Sequence, residues 1–136
     1  MDPDTGSAAD ADLNVLGGPL GTCPQESLVG QRRRSACRSG AGAPSVCAVM
    51  TQQFLVHRRA RGEDLTRPAL AHRTRGLRPG DSWCLPAEQW WEAYADGCAP
   101  PVHLRRTAVS ALRRVPMEVL RAHAVDVPED PRDLLG

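Results

Sequence analysis

The chain has 136 residues, 41% of them apolar and 4% aromatic, with 17 arginines, no lysine, 16 acids and a net charge of +1. That length suits one domain with a single core, here built mostly of Leu, Val and Ala. No run approaches the roughly 18 apolar residues of a membrane span, and the acidic start "MDPDTGSAADAD" is unlike a secretory signal. A soluble, cytosolic protein is therefore expected.

The near-neutral total conceals an asymmetry. Residues 1–12 and 126–136 carry eight acids against one arginine, and the stretch between them holds the other sixteen arginines and eight acids. Tails rich in Asp, Pro, Ala and Gly lack the apolar content to order themselves. Disordered acidic tails over 1–12 and 127–136 are expected, flanking one domain over 13–126. A basic body of this kind can attract an anionic ligand.

Taken in chain order, Leu13 to Leu16 reads as a short strand stopped by Gly17, Gly18 and Pro19. A long basic, glycine-rich loop follows, with Arg32, Arg33, Arg34, Cys37 and Arg38; loops of that length are functional or disordered. Val46 to Met50 is an apolar run too short for a helix. Thr51 can cap a helix reaching about Arg61, with Gly62 as its stop. Residues 62–80 read as irregular, closing in the turn "RPGD".

Ser82 to Leu85 reads as a second strand, and Pro86 suits the first position of a helix ending at Gly97. Along that helix Ala87, Trp90, Trp91 and Tyr94 fall at i, i+3, i+4 and i+7, a stripe that predicts core packing. Thr107 is placed to cap a short helix with Ala108, Val109 and Leu112 inward, and Pro116 to open another carrying Met117, Leu120 and Ala124. Short strands alternating with three to four short helices, without a βαβ repeat, predict a small α+β domain.

Five cysteines, 23, 37, 47, 84 and 98, are separated by 13, 9, 36 and 13 residues. An odd number in a reducing compartment argues against a full disulfide framework. No CxxC knuckle exists, so the spacing calls for no metal site, and no cofactor is expected. Cys84 is the candidate nucleophile, because a cysteine just before a helix N-terminus has its thiolate favoured by unpaired N–H groups. The plainer reading is a small buried hydrophobe. Cys47 reads as buried and inert, Cys37 as an exposed loop thiol, and Cys23 and Cys98 as packing residues. His123, near a helix end, is either a base or a cap residue. No GxSxG, P-loop, GxGxxG or HExxH occurs, and the arginine clusters lack the interleaved aromatics of a single-strand binding surface.

In order, "LNVLGGPL", "VCAVMTQQFL", "RGEDLTRP", "GLRPGDSWCL", "GCAPPVHL" and "HAVD" resemble the bacterial domain-of-unknown-function family DUF2237 across Leu13 to Asp126. The resemblance implies no activity. It does imply that Cys37, Cys47 and Cys84 belong together, since the family pattern places sulfurs in those blocks. The chain departs from that pattern at three places. The family has a cysteine pair where this chain has Ala36-Cys37, Trp-Cys-Leu-Cys where it has Trp83-Cys84-Leu85-Pro86, and Thr-His-Glu where it has Thr107-Ala108-Val109.

Two readings of function are carried forward. One is an enzyme acting on a small anionic metabolite, with Cys84, Cys47, Cys37 and His123 as catalytic candidates and Trp83, Asp81, Arg78 and Arg38 as ligand-binding candidates. The other is a non-catalytic module whose basic body holds an anion or nucleic acid, or whose tryptophan-bearing helix meets a protein partner. Nucleic acid is the least expected of these partners, and no membrane role is expected.

Overall fold

Strand β1, Pro44–Val49, and strand β2, Ser82–Pro86, pair antiparallel in a computed structural model that describes residues 13–24, 37, 42–68 and 75–126. The expected acidic tails, and the basic loop apart from Cys37, lie outside the described residues. Around the two strands stand three helices, α1 Gln52–Ala60, α2 Ala87–Ala95 and α3 Met117–Ala122, with short 3-10 turns at Leu104–Arg106 and Val109–Arg113. The fold is the small α+β domain expected. Among the described residues no helix is long and apolar enough to cross a membrane.

The register sets Val46 opposite Leu85, Cys47 opposite Cys84 and Ala48 opposite Trp83. Strand side chains alternate between faces, so Val46, Ala48, Leu85 and Trp83 share one face and Cys47 and Cys84 the other. The first face meets the main core, where Phe54, Leu55, Trp90, Val102, Leu104 and Leu120 are buried. β1 is flanked on its second edge as well: Val49 N donates to Pro101 O, His103 N to Cys47 O, and Ala108 N to Ser45 O. The strand carrying Cys47 is thereby fixed on both sides.

Helix α1 starts as expected, with Phe54 N donating to Thr51 Oγ1 at 3.0 Å. Side chains at its C-terminal end meet acids at the end of α2: Arg58 with Glu92 at 2.7 Å, and Arg61 and His57 with Asp96 at 2.8 Å each. In the α2 stripe, Trp90 is wholly buried and donates from Nε1 to Pro100 O. Trp91 and Tyr94, expected in the core, are instead 38% exposed. Tyr94 stacks on both indoles, because this helix packs along a narrower face than the stripe subtends.

Two further expectations fail locally. Leu13 to Leu16 is no strand: it joins single bridges, Leu13 to Pro19 and Asn14 to Ala108, around a turn. Asn14 holds that turn, its Oδ1 accepting from Leu16 N and Gly18 N while its Nδ2 donates to Pro19 O and Arg105 O. Local side-chain bonding of this kind competes with a ladder. The helix expected after Thr107 is a five-residue 3-10 turn, and Thr107 closes the turn before it rather than capping the one after.

Candidate functional site: a four-sulfur nest

Four of the five cysteines come from four separate segments to one buried cluster. Cys23, Cys37, Cys47 and Cys84 form it, with 0, 1, 0 and 8% exposure. Cys37 and Cys84 are joined as a disulfide. Cys47 Sγ lies 2.8 Å from Cys23 Sγ, a contact closer than two thiols ordinarily keep. The sulfurs of Cys23, Cys37 and Cys84 all lie within 4.8 Å of one another.

Three of the four segments are steered there by identifiable bonds. The antiparallel register supplies Cys47 and Cys84 as a facing pair. Cys47 is gripped through its backbone: its N–H donates to the buried Thr107 hydroxyl at 3.2 Å, and that hydroxyl donates on to His103 O at 2.8 Å. Asp126 fixes the same segment from the other side, accepting from Leu104 N and Arg105 N. Cys23 arrives along a strip that touches this segment, with Gly21 N donating to Arg105 O. A Cβ at Gly21 would meet that carbonyl at 3.2 Å, so the close approach that delivers Cys23 favours glycine.

The expected convergence of Cys37, Cys47 and Cys84 is therefore found, with Cys23 as a fourth member the sequence reading treated as packing. Cys37, expected as an exposed loop thiol, is buried and bonded. Cys84 lies in β2 just ahead of α2, as expected, but it is no thiolate there, because its sulfur is held in the disulfide. Cys98 stays apart, half-buried, with its thiol donating to Asp96 O.

The other candidates are engaged elsewhere. Trp83 lies on the opposite face of β2, packed against the main core. Asp81 takes both guanidinium nitrogens of Arg75 at 3.1 Å and the Arg78 N–H at 2.9 Å, which builds the turn into β2. Arg78 is exposed, and Arg38 lies outside the described residues. His123 caps α3, its Nδ1 against Val119 O, with its ring edge-on to Trp90 and Tyr94. The Trp83 indole does not share a face with the sulfurs. An open groove of about 260 Å³ lies where β1 begins and β2 ends, lined by Ser45, Ala87, Glu88, Ser110, Arg113 and Arg114 among others.

Nothing in the sulfur spacing revealed Cys23, whose position depends on the Asn14 turn and the Gly21 contact. A signal for the Cys47–Cys84 pair did exist: "VCA" and "WCL" each set a lone cysteine inside an apolar strand. Antiparallel pairing of those strands brings the two cysteines face to face.

No curated protein matches the chain. Its residues 13–124 match the family described as an uncharacterized protein conserved in bacteria, DUF2237. With most of its length covered, the chain is a member of that family.

Proposed function

We propose that the protein is a thiol–disulfide exchange enzyme acting through its four-sulfur nest on a small thiol or disulfide. The observation that carries this reading is the second sulfur pair behind the disulfide. A structural staple needs two sulfurs, whereas exchange needs a thiol in reach of a disulfide. In a reducing compartment, such as the sequence led us to expect, disulfides are typically transient and catalytic or redox-sensing.

The exchange balances as follows. A substrate thiolate attacks Cys84 Sγ, the more exposed sulfur of the disulfide. The S–S bond breaks and Cys37 leaves as a thiolate that takes up a proton. A second substrate thiol loses its proton, displaces Cys84 and leaves as the substrate disulfide. Two electrons and two protons have then passed to Cys37 and Cys84. Internal exchange needs no outside partner: Cys23 thiolate attacks Cys37 and releases Cys84. Cys47 thiolate then attacks Cys23 and releases Cys37. The disulfide has moved inward to Cys23–Cys47, and two protons have moved outward.

The test is equilibration in glutathione buffers of graded potential, with mass spectrometry of each cysteine. A Cys37–Cys84 bond that titrates across the cellular range, and a mixed disulfide at Cys84 when Cys37 is changed to Ser, are the expected results. A bond that stays closed throughout, with no adduct on Cys84, sinks the reading.

A second reading rests on the groove. Arg113, Arg114 and the first turn of α2 face it, with Glu88 pairing to Arg114 at 3.3 Å. There the protein binds a small anion without chemistry. Its affinity would fall with ionic strength and fall further in Arg113→Ala; binding indifferent to both would remove it.

A further inference from the structure

The geometry points to a second state of the same nest: once reduced, Cys23, Cys37 and Cys84, with Cys47 as fourth ligand, bind a soft divalent cation, zinc by its chemistry. The inference does not rest on the exchange activity, since a purely structural disulfide would leave it standing. Four thiolates around zinc at about 2.3 Å place the sulfurs about 3.8 Å apart. Three of the nest's sulfurs are mutually within 4.8 Å, and the fourth touches Cys23 at 2.8 Å. Once the disulfide is open, those three need only small side-chain movements to reach the ideal edge, while Cys47, in contact with Cys23 but outside the 4.8 Å group, swings further to complete the set. All-sulfur tetrahedral surroundings select soft cations over magnesium or calcium.

The fold supports such a site beyond the sulfurs. Two ligands stand opposite each other on paired strands, the arrangement least able to drift. The Thr107 hydroxyl fixes the backbone of one of these two, Cys47, so that its sulfur keeps its bearing. The four residues are at most 8% exposed, which shields a metal thiolate from water and oxidant.

Loading couples to redox state. A dithiol reductant gives two electrons and two protons to the Cys37–Cys84 bond and leaves as its own disulfide. Binding zinc then releases the protons of four thiols, and the loaded centre carries two negative charges. A small disulfide that exchanges with Cys84 and then Cys37 takes the two electrons and leaves as two thiolates; the re-formed Cys37–Cys84 bond withdraws two ligands and frees the ion. The nest is thus a redox-gated cation site.

The experiment uses the full chain, reduced anaerobically with a phosphine until five thiols titrate, and cobalt(II) as the probe. The visible bands of tetrahedral cobalt thiolate should saturate at one equivalent and collapse when zinc is added. Zinc should protect four cysteines from alkylation and leave Cys98 reactive. Cys98→Ser should leave the bands unchanged, Cys47→Ser should weaken them by about the share of one thiolate, and the oxidised chain should show none. Should reduction unfold the chain, recovery of native circular dichroism on adding zinc takes the place of the titration. A fully reduced chain that neither develops the bands nor refolds with zinc overturns the proposal, as does a spectrum that needs Cys98. Because glutathione equilibration reads the exchange activity and cobalt reads the cation site, failure of one is distinguishable from failure of the other.

Discussion

The two faces of one small sheet are built from the same strands and do opposite things. Toward α2, Val46, Ala48, Leu85 and Trp83 merge into an apolar core whose order comes from many weak contacts. On the other face, Cys47 and Cys84 meet Cys23 and Cys37, and order comes from one covalent bond and a few directed hydrogen bonds. The apolar face is stabilised by area, the sulfur face by connectivity. Substitutions on the first should change stability alone, and those on the second should change stability only in a stated redox state.

The largest effect is expected on the apolar face. Trp90→Ala removes a wholly buried indole and its bond to Pro100 O, at a cost of roughly 3–5 kcal/mol. Urea denaturation measures it with the disulfide kept closed and with it reduced. The loss should be the same in both; a loss that vanishes on reduction would mean the two faces do not act independently.

Cys37→Ser is the matching experiment on the sulfur face. The disulfide closes a loop with a sequence separation of 47 residues, for which chain entropy gives about 4 kcal/mol. That difference from the parent should appear under oxidising conditions and shrink toward zero when both proteins are reduced. If the gap persists in reductant, Cys37 stabilises by packing and the contrast between faces is wrong.

Thr107→Val tests whether hydrogen bonds, as well as the covalent bond, hold the nest. The change keeps shape but strands the Cys47 N–H, costing roughly 1–3 kcal/mol. Alkylation of Cys47 in the reduced chain should become faster in the same variant. Unchanged labelling together with unchanged stability would show that the backbone bonds along the two edges of β1 position the strand without the hydroxyl.

The apolar face was also the legible one. Thr51 capping α1, Pro116 opening α3, the turn at Gly80 and burial of Trp90 all follow from spacing and residue type acting within a few residues. Trp91 and Tyr94 misled because periodicity gives a direction but not how wide a face the neighbours cover. The nest could not be read from spacing because its members are brought together by register, by the Asn14 turn and by the Gly21 contact. Family resemblance reached further, grouping Cys37, Cys47 and Cys84, since it compares whole patterns rather than intervals.

The smallest effect lies at the seam between α1 and α2, distant in kind from both faces. The hydrogen bond from Arg58, aided by the charge of Arg61, holds Glu92 below its ordinary value of 4.5. Hydrogen bonds from His57 and then Arg61 hold Asp96 below 3.8. A carboxylate with a lowered folded pKa adds stability that is complete above its unfolded value and is lost as pH falls through the folded one. The seam should therefore loosen below about pH 4, modestly, since exposed pairs are well screened. The disulfide does not titrate, so acid should leave the nest closed. Hydrogen exchange followed down the pH scale should show protection failing first at the ends of α1 and α2, and a combined Glu92→Gln, Asp96→Asn variant should flatten that pH dependence. An unaltered slope in the variant would mean other carboxylates control acid sensitivity, and early loss of protection around Cys47 would mean that charge, too, holds the sulfur face.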